Sequence, residues 1–350
     1  MTLRDIARRA GVSATTVSNV LNGRFEQVSR DMAERIKNIA AEMGYQMRER
    51  KVKSTSTTLG MVVPEFTSEL YGRAIKGAVA AASRLGFQLL LASSESGESA
   101  EVTAVASFLE HPVQGIIFLS SSRYTRSEAL RLALSRNVPC VVINRNILPE
   151  QAYHILFKNE EAVYQATKHL IQMGYRKIGT IHLPITGNSR RDIYVQRYQG
   201  YIRALEEHGL PVKSEWMREG LLGDEPGALS VASRLAEDMF KSADRPTALV
   251  CGTDTIAIGA LWAAKMCGLA VPDDVALVGF DATIAGTFIS PPLTTIMHPT
   301  LEAGQRAVEV IAESLWKGVM PTGIEWLPCK LIIRGSTSRY EQWSNSLAAK

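Results

Sequence analysis

The first chemistry legible in this chain lies in a run of small residues close to its amino terminus. From Ser13 to Val20, helical spacing turns Val17 and Val20 to one side and Ala14, Thr15, Thr16, Ser18 and Asn19 to the other. An asparagine carboxamide can pair bidentately with the major-groove edge of adenine. A threonine methyl can pack on the methyl of thymine, and hydroxyls bond phosphate oxygens. A short helix that is polar on one face fits a DNA major groove.

Such a helix needs neighbours to hold it. Leu3, Ile6, Ala7 and Ala10 recur at helical spacing ahead of it, with Thr2 as a cap and Asp5 as the acidic half of a capping box. Gly11 breaks that run and Ser13 is the N-cap of the next helix, which Asn22 and Gly23 end. After a loop, Ser29 caps a third amphipathic helix carrying Met32, Ile36, Ile39, Ala40 and Met43 and closed by Gly44. Leu3, Ile6, Val17, Val20, Leu21, Ile36 and Ile39 make one small core, so residues 1–45 read as a helix-turn-helix head. Charge agrees: residues 1–60 hold eleven basic and six acidic side chains, and the remainder holds twenty-eight and twenty-nine. The excess positive charge sits where a phosphate backbone would attract it.

At 350 residues the chain is long for one core, and 46% apolar with 21% charged residues is ordinary for a globular protein. Cys140, Cys251, Cys267 and Cys329 lie far apart with no C-x-x-C, which fits a reducing cytosol better than a disulfide framework or zinc site. His111, His154, His169, His182, His208 and His298 show no metal-ligand spacing, so no metal or cofactor is expected. No apolar run follows a basic start and none reaches the length of a membrane span, so the expected location is cytoplasmic.

Residues 46–58 are poor in apolar side chains, basic at first and then rich in Ser and Thr, which marks a linker. From Leu59 short apolar runs alternate with helical stretches. Strands are expected at 59–63, 87–92, 115–120, 140–144, 154–157, 177–183, near 216–221, 248–252, 275–281 and 330–334. Helices are expected at 71–85, 99–110, 127–135, 160–173, 190–208, 226–240, 254–267 and 300–317. This alternation predicts right-handed βαβ units in two parallel sheets, with a cleft at the carboxyl ends of their strands.

Several separated segments make a resemblance specific. GVSATTVSNVLNG, VS at 28–29, GY at 44–45, GYRKIGTI at 174–181, TDTIAIGAL at 253–261, VPDDVALVGFD at 271–281 and SPPLTTI at 290–296 occur in order. Over residues 2–338 the chain resembles the lac repressor/galactose repressor family of transcription regulators. The resemblance implies a helix-turn-helix head at 1–45, a hinge at 46–58, and a core at 59–340 like a periplasmic sugar-binding protein. The core's first lobe would take about 59–157 and 297–323, its second about 158–296 and 324–340, with a tail at 341–350. It implies a homodimer on a near-palindromic operator, controlled by a small, carbohydrate-like effector in the cleft.

Family position makes Ala14, Thr15 and Asn19 the base readers, within a DNA-facing set of Thr2, Ser13, Ala14, Thr15, Thr16, Ser18, Asn19, Asn22, Ser29 and Tyr45. The hinge departs from the family: Tyr45 is followed by Gln46 and Met47, without the Arg-Pro-Asn and the Leu that wedges into the minor groove. Either Met47 or Val52 replaces that Leu, or Arg48, Arg50, Lys51 and Lys53 form a plain basic tether. In the cleft the resemblance places Glu65, Leu70 and Tyr71 after the first core strand, Arg145 in an Asp-Arg position, and Leu222 where an aromatic platform is usual. It assigns Arg197 to ligand binding, and Asp254 and Asp281 to accepting effector hydroxyls; Ser94 follows a strand as a polar cleft residue. The competing class is a sugar receptor or enzyme on the same core with a vestigial head; no nucleophile and base pair supports it. Asn19→Ala is expected to cost about 1–3 kcal/mol of discrimination at one operator position. Binding titrations against single-base operator variants check this, and an unchanged base preference would remove Asn19 from the readers.

Overall fold

The computed structural model describes residues 3–21, 28–43, 57–94, 97–111, 113–119, 127–185, 192–221 and 227–338. The chain forms two compact units, Met1–Thr55 and Ser56–Lys350.

In the first unit, α1 (Leu3–Ala10), α2 (Ala14–Leu21) and α3 (Arg30–Glu42) close on Ile6, Val17, Val20 and Ile36, which are essentially excluded from solvent, and on Ile39 at the edge. The side chains of Leu3 and Leu21 lie outside the described residues. Gly11 turns the chain at φ 73°, in the left-handed region that a side chain would strain. Ser13 caps α2 as expected: Thr16 N donates to its Oγ at 3.0 Å, and the two hydroxyls meet at 2.8 Å.

In the second unit, the first sheet contains β1 (Thr58–Val63), β2 (Gln88–Ser93), β3 (Val113–Leu119), β4 (Cys140–Ile143), β5 (Tyr153–Phe157) and β11 (Gly323–Leu327). Their order is β11-β5-β4-β3-β1-β2, parallel throughout. The second sheet contains β6 (Ile178–His182), β7 (Met217–Glu219), β8 (Ala248–Cys251), β9 (Ala276–Phe280), β10 (Thr294–Met297) and β12 (Lys330–Ile332). It is ordered β12-β10-β9-β8-β6-β7, with β12 antiparallel to β10. Helices α4 (Glu69–Arg84), α5 (Glu98–Glu110), α6 (Glu128–Ser135) and α12 (Thr300–Lys317) serve the first lobe. Helices α7 (Asn159–Gln172), α8 (Asp192–Glu207), α9 (Ala228–Phe240), α10 (Asp254–Met266) and the short α11 (Ile284–Phe288) serve the second.

The chain passes between lobes after Phe157, after Met297 and after Leu327. The last passage corrects the lobe boundary expected at 323/324, because β11 pairs with β5 in the first sheet. β11 is an edge strand whose Ile324 and Trp326 are exposed, so it lacks the buried apolar run that marks an inner parallel strand. β10 is equally hard to read from sequence: Thr294 and Thr295 are fully buried polar residues satisfied by hydrogen bonds.

Helices α4 and α12 cross closely because Gly77 and Gly304 remove side chains from the contact. A Cβ at Gly77 would stand 2.0 Å from the Leu301 carbonyl oxygen, and one at Gly304 would stand 2.0 Å from that of Ala74. Gly304→Ala is therefore expected to destabilise the fold by about 1–3 kcal/mol, since backbone must move. Gly72→Ala, on α4 with open space around its Cβ position, is expected to stabilise by about 0.5–1 kcal/mol. Thermal melts of the two variants check the contrast, and equal shifts would disprove the close crossing.

Candidate DNA-reading head and effector cleft

The reading helix α2 presents Ala14 half-buried and Ser13 exposed, with the Thr16 hydroxyl drawn into the cap. That use of Thr16 favours holding the helix over touching phosphate. The side chains of Thr15, Ser18 and Asn19 lie outside the described residues, as do Thr2, Asn22, Tyr45, Leu222 and the hinge residues Met47, Arg48, Arg50, Lys51, Val52 and Lys53. Ser29 accepts from Met32 N at 3.4 Å and so begins α3.

The expected cleft residues of the core divide into two groups. Some are consumed by their own lobe. Asp254 has no solvent exposure; its Oδ2 accepts from Thr283 N at 2.6 Å and Thr283 Oγ1 at 2.9 Å, and its Oδ1 from Thr295 Oγ1 at 2.5 Å. Burial raises its pKa, against the pull of those hydrogen bonds. The resemblance makes it an acceptor of effector hydroxyls; here its lone pairs tie the 281–286 turn to β10. Thr253, not Asp254, caps α10 by accepting from Ile256 N. Arg145 is likewise withdrawn, 5% exposed and 3.6 Å from the equally buried Glu101 of α5. Burial lifts the Glu101 carboxyl even with that guanidinium beside it. Arg145 therefore holds the loop after β4 to α5, and does not face open cleft. Glu65 accepts from Thr67, and Ser94 turns back onto the Val63 carbonyl. Leu70 and Tyr71 are half-buried, Tyr71 against the first-lobe core.

The second group meets where the chain changes lobes. His298, just before α12, is 2% exposed. Its ring lies between Phe157 and Phe280, with centroids 4.8 and 4.7 Å away. Asn159 Nδ2 donates to the Phe157 carbonyl, which leaves Oδ1 as an acceptor 3.1 Å from His298 Nε2. Nε2 thus faces both Asn159 Oδ1 and, at 3.5 Å, Arg197 Nη2, and burial with the nearby Arg197 and Arg73 charges holds the pKa of His298 well below its usual value. On the Nδ1 side stands the Asp281 carboxylate, 3.8 Å off. Arg197 approaches from the other side, with Nε 3.4 Å from Asn159 Oδ1 and Nη1 donating to the Gly252 carbonyl at 2.9 Å. Its guanidinium stacks on Phe280 at 3.7 Å.

One more group, which sequence reasoning does not find, joins the lobes directly. Arg73 on α4 donates to the carbonyls of Asp281, at 3.1 Å, and Ala282, and pairs with Glu69 one turn earlier. Glu69 Oε2 accepts from Ile284 N at 2.8 Å. Asp281 and Ala282 have φ 107° and 52°, in the left-handed region, which turns those carbonyls toward α4. His298, Asn159, Glu69 and Arg73 escape a sequence reading because their partners lie far away along the chain; the one local signal is Glu69 and Arg73 at i and i+4. Among the described residues no cluster of His, Cys, Asp or Glu could hold a metal, and no helix is long and apolar enough to cross a membrane.

A DNA-reading head joined to a two-lobed binding core defines the class, an effector-responsive regulator, and comparison with known proteins specifies it. Residues 2–47 match the family model of bacterial regulatory proteins, lacI family, and residues 167–337 match a periplasmic binding protein-like domain. The chain is 30% identical over 342 residues to the HTH-type transcriptional repressor PurR of Actinobacillus pleuropneumoniae, covering 96% of this chain and 98% of that one. It is 32% identical over 319 residues to the ribose operon repressor of Haemophilus influenzae, covering 90% and 92%. Among solved structures, the transcriptional regulator CelR in complex with cellobiose matches with a TM-score of 0.70 at 27% identity, over 96% of this chain and 99% of that one. The chain belongs to the lacI family. It is a DNA-binding transcriptional regulator whose operator affinity is modulated by a small-molecule effector.

Asp254→Ala strands the Thr283 amide and two hydroxyls inside the second lobe, so it is expected to destabilise by about 2–4 kcal/mol. Thermal melting without effector reads this, and an unchanged melt with a blunted effector response would return Asp254 to the ligand-contact role.

Proposed function

We propose that the protein is a cytoplasmic homodimeric repressor that reads a near-palindromic operator and answers to a polyhydroxy, carbohydrate-like effector bound between the core lobes. The observation that carries this reading is the Arg73–Glu69 clasp on the 281–284 turn, which joins α4 of one lobe to the second lobe. An effector that binds one lobe arrangement better than another shifts their populations, and two heads coupled to that equilibrium gain or lose simultaneous grip on two half-sites. Arg197, Asp281, Tyr71 and Leu222 are the proposed effector contacts, with Ser94 and Glu65 at the rim. One structural relative, the regulator CelR, forms a complex with cellobiose, which supports a carbohydrate-like ligand here.

The dimer reading is supported by exposed apolar side chains on the second lobe. Trp262 and Met266 stand one turn apart on α10 at 59% and 67% exposure, and Ile284 and Phe288 stand one turn apart on α11 at 62% and 84%. Exposed large apolar groups at this density mark contact surface.

Electrophoretic mobility shift with palindromic operator candidates in rising salt tests the whole reading; binding without sequence preference at every salt concentration would sink it. Arg73→Ala tests the clasp. Each lost lobe-to-lobe hydrogen bond is worth roughly 0.5–1.5 kcal/mol. The effector concentration that half-changes operator occupancy is therefore expected to move several-fold. The slope of operator affinity against salt stays the same, because phosphate contacts belong to the head. An unmoved midpoint would remove the clasp from the mechanism.

A further inference from the structure

Arg197 is a buried cation without a counter-ion. It is 8% exposed, and among the described residues no carboxylate lies within ion-pair distance of it. Its protein acceptors are neutral: the Gly252 carbonyl and Asn159 Oδ1. His298 Nε2, 3.5 Å from Nη2 and 3.1 Å from Asn159 Oδ1, adds no negative charge. Asp281 stands on the opposite nitrogen of that same imidazole, so the ring separates this acid from Arg197. A guanidinium has five N–H donors, and at least two here meet no acceptor among the described residues. Stacking on Phe280 and the nearby Tyr194 ring, 5.7 Å away, holds the group in place without neutralising it.

Taking a charge out of water costs several kcal/mol unless a partner offsets it. Among the described residues the one other buried arginine, Arg145, and the half-buried Arg73 and Arg306 have acids beside them, whereas the half-buried Arg218, Arg245 and Arg334 bond backbone carbonyls. Arg145 has Glu101, Arg73 has Glu69, and Arg306 has Glu309, Glu313 and Glu325. Arg197 faces a cavity lined also by His182, Leu183, Tyr194, Tyr198 and Gly252, all residues of the second lobe. The cavity is about 20 Å³, room for one water-sized group such as a carboxylate oxygen. Asp254, the acid that would welcome a neutral sugar's hydroxyls, is spent inside the lobe.

Building on the effector reading above, we propose that the effector is a small polyhydroxy carboxylate, a sugar acid, whose acid oxygen enters this cavity and pairs with Arg197. Neutral sugars of the same shape lose this charge-assisted bond.

Thermal shift of the full-length protein at fixed ionic strength tests this with matched probes: gluconate, glucuronate and galacturonate against glucose and galactose, with glucose 6-phosphate as the phosphate arm. At least one carboxylate is expected to raise the melting temperature at a concentration where its neutral parent does nothing. Arg197→Gln is expected to lose that shift and Arg197→Lys to keep part of it. Equal stabilisation by a neutral parent, a response to the phosphate ester alone, no response to any carboxylate, or a shift that survives Arg197→Gln would each overturn the proposal. Operator binding by the wild-type protein, measured in the same preparation, separates this from the regulator reading: retained binding with a failed acid panel sinks only the sugar-acid assignment.

Discussion

The core depends on one packed junction, the His298 imidazole held between Phe157 and Phe280 where the chain changes lobes. Phe157 ends the last strand before the first passage, Phe280 ends β9, and His298 sits in the second passage. A single ring thus touches the end of a strand from each sheet. Asn159, the first residue of α7, bonds the same ring and Arg197 on α8. Motion of one lobe against the other must repack these rings or pivot on them, and close-packed interiors resist gradual deformation. The junction therefore restricts the lobes to a few discrete arrangements, which an effector-controlled switch requires.

The distribution of charge separates two tasks. Operator affinity draws on a basic amino-terminal region, whereas residues beyond 60 are nearly balanced. Within the core, acids and bases cancel in place: Arg203 meets Glu160 and Glu161, Lys177 and Lys213 share Asp244, and Arg306 meets three glutamates. Such pairs, mostly half-exposed, add little stability each. Their collective effect is to leave the core without a long-range field that would compete for DNA.

Legibility follows sequence distance. The head is readable because its determinants are local: Ser13 caps α2 through Thr16 three residues on, and the stripe of Ile6, Val17, Val20 and Ile36 is periodic. The inner parallel strands are readable as continuous apolar runs, because both their faces are covered. β11 is not, since an edge strand with exposed Ile324 and Trp326 carries no such run. The site is least legible where partners are remote. Asp254 meets Thr283 and Thr295 at 29 and 41 positions along the chain, and Arg73 meets Asp281 at 208. Family position can place an acid at Asp254 but cannot foresee that two threonine hydroxyls occupy it.

The energy scale of the clasp connects these parts. Arg73 and Glu69 place three hydrogen bonds on the 281–284 turn, two from a cation to carbonyls and one from an amide to a carboxylate. At a net worth of roughly 0.5–1.5 kcal/mol each, they favour the joined lobes by a few kcal/mol, before the cost of ordering the side chains. Moving an equilibrium from 1:99 to 99:1 takes about 5.5 kcal/mol of differential binding. A clasp of this size is therefore comparable to what one effector supplies, and neither term can be neglected. The joined arrangement does not wait for ligand alone; it is already built into the chain, and the effector either adds to the clasp or works against it. Asp254, by fixing the turn that offers the Asp281 and Ala282 carbonyls, acts on that balance from inside the second lobe.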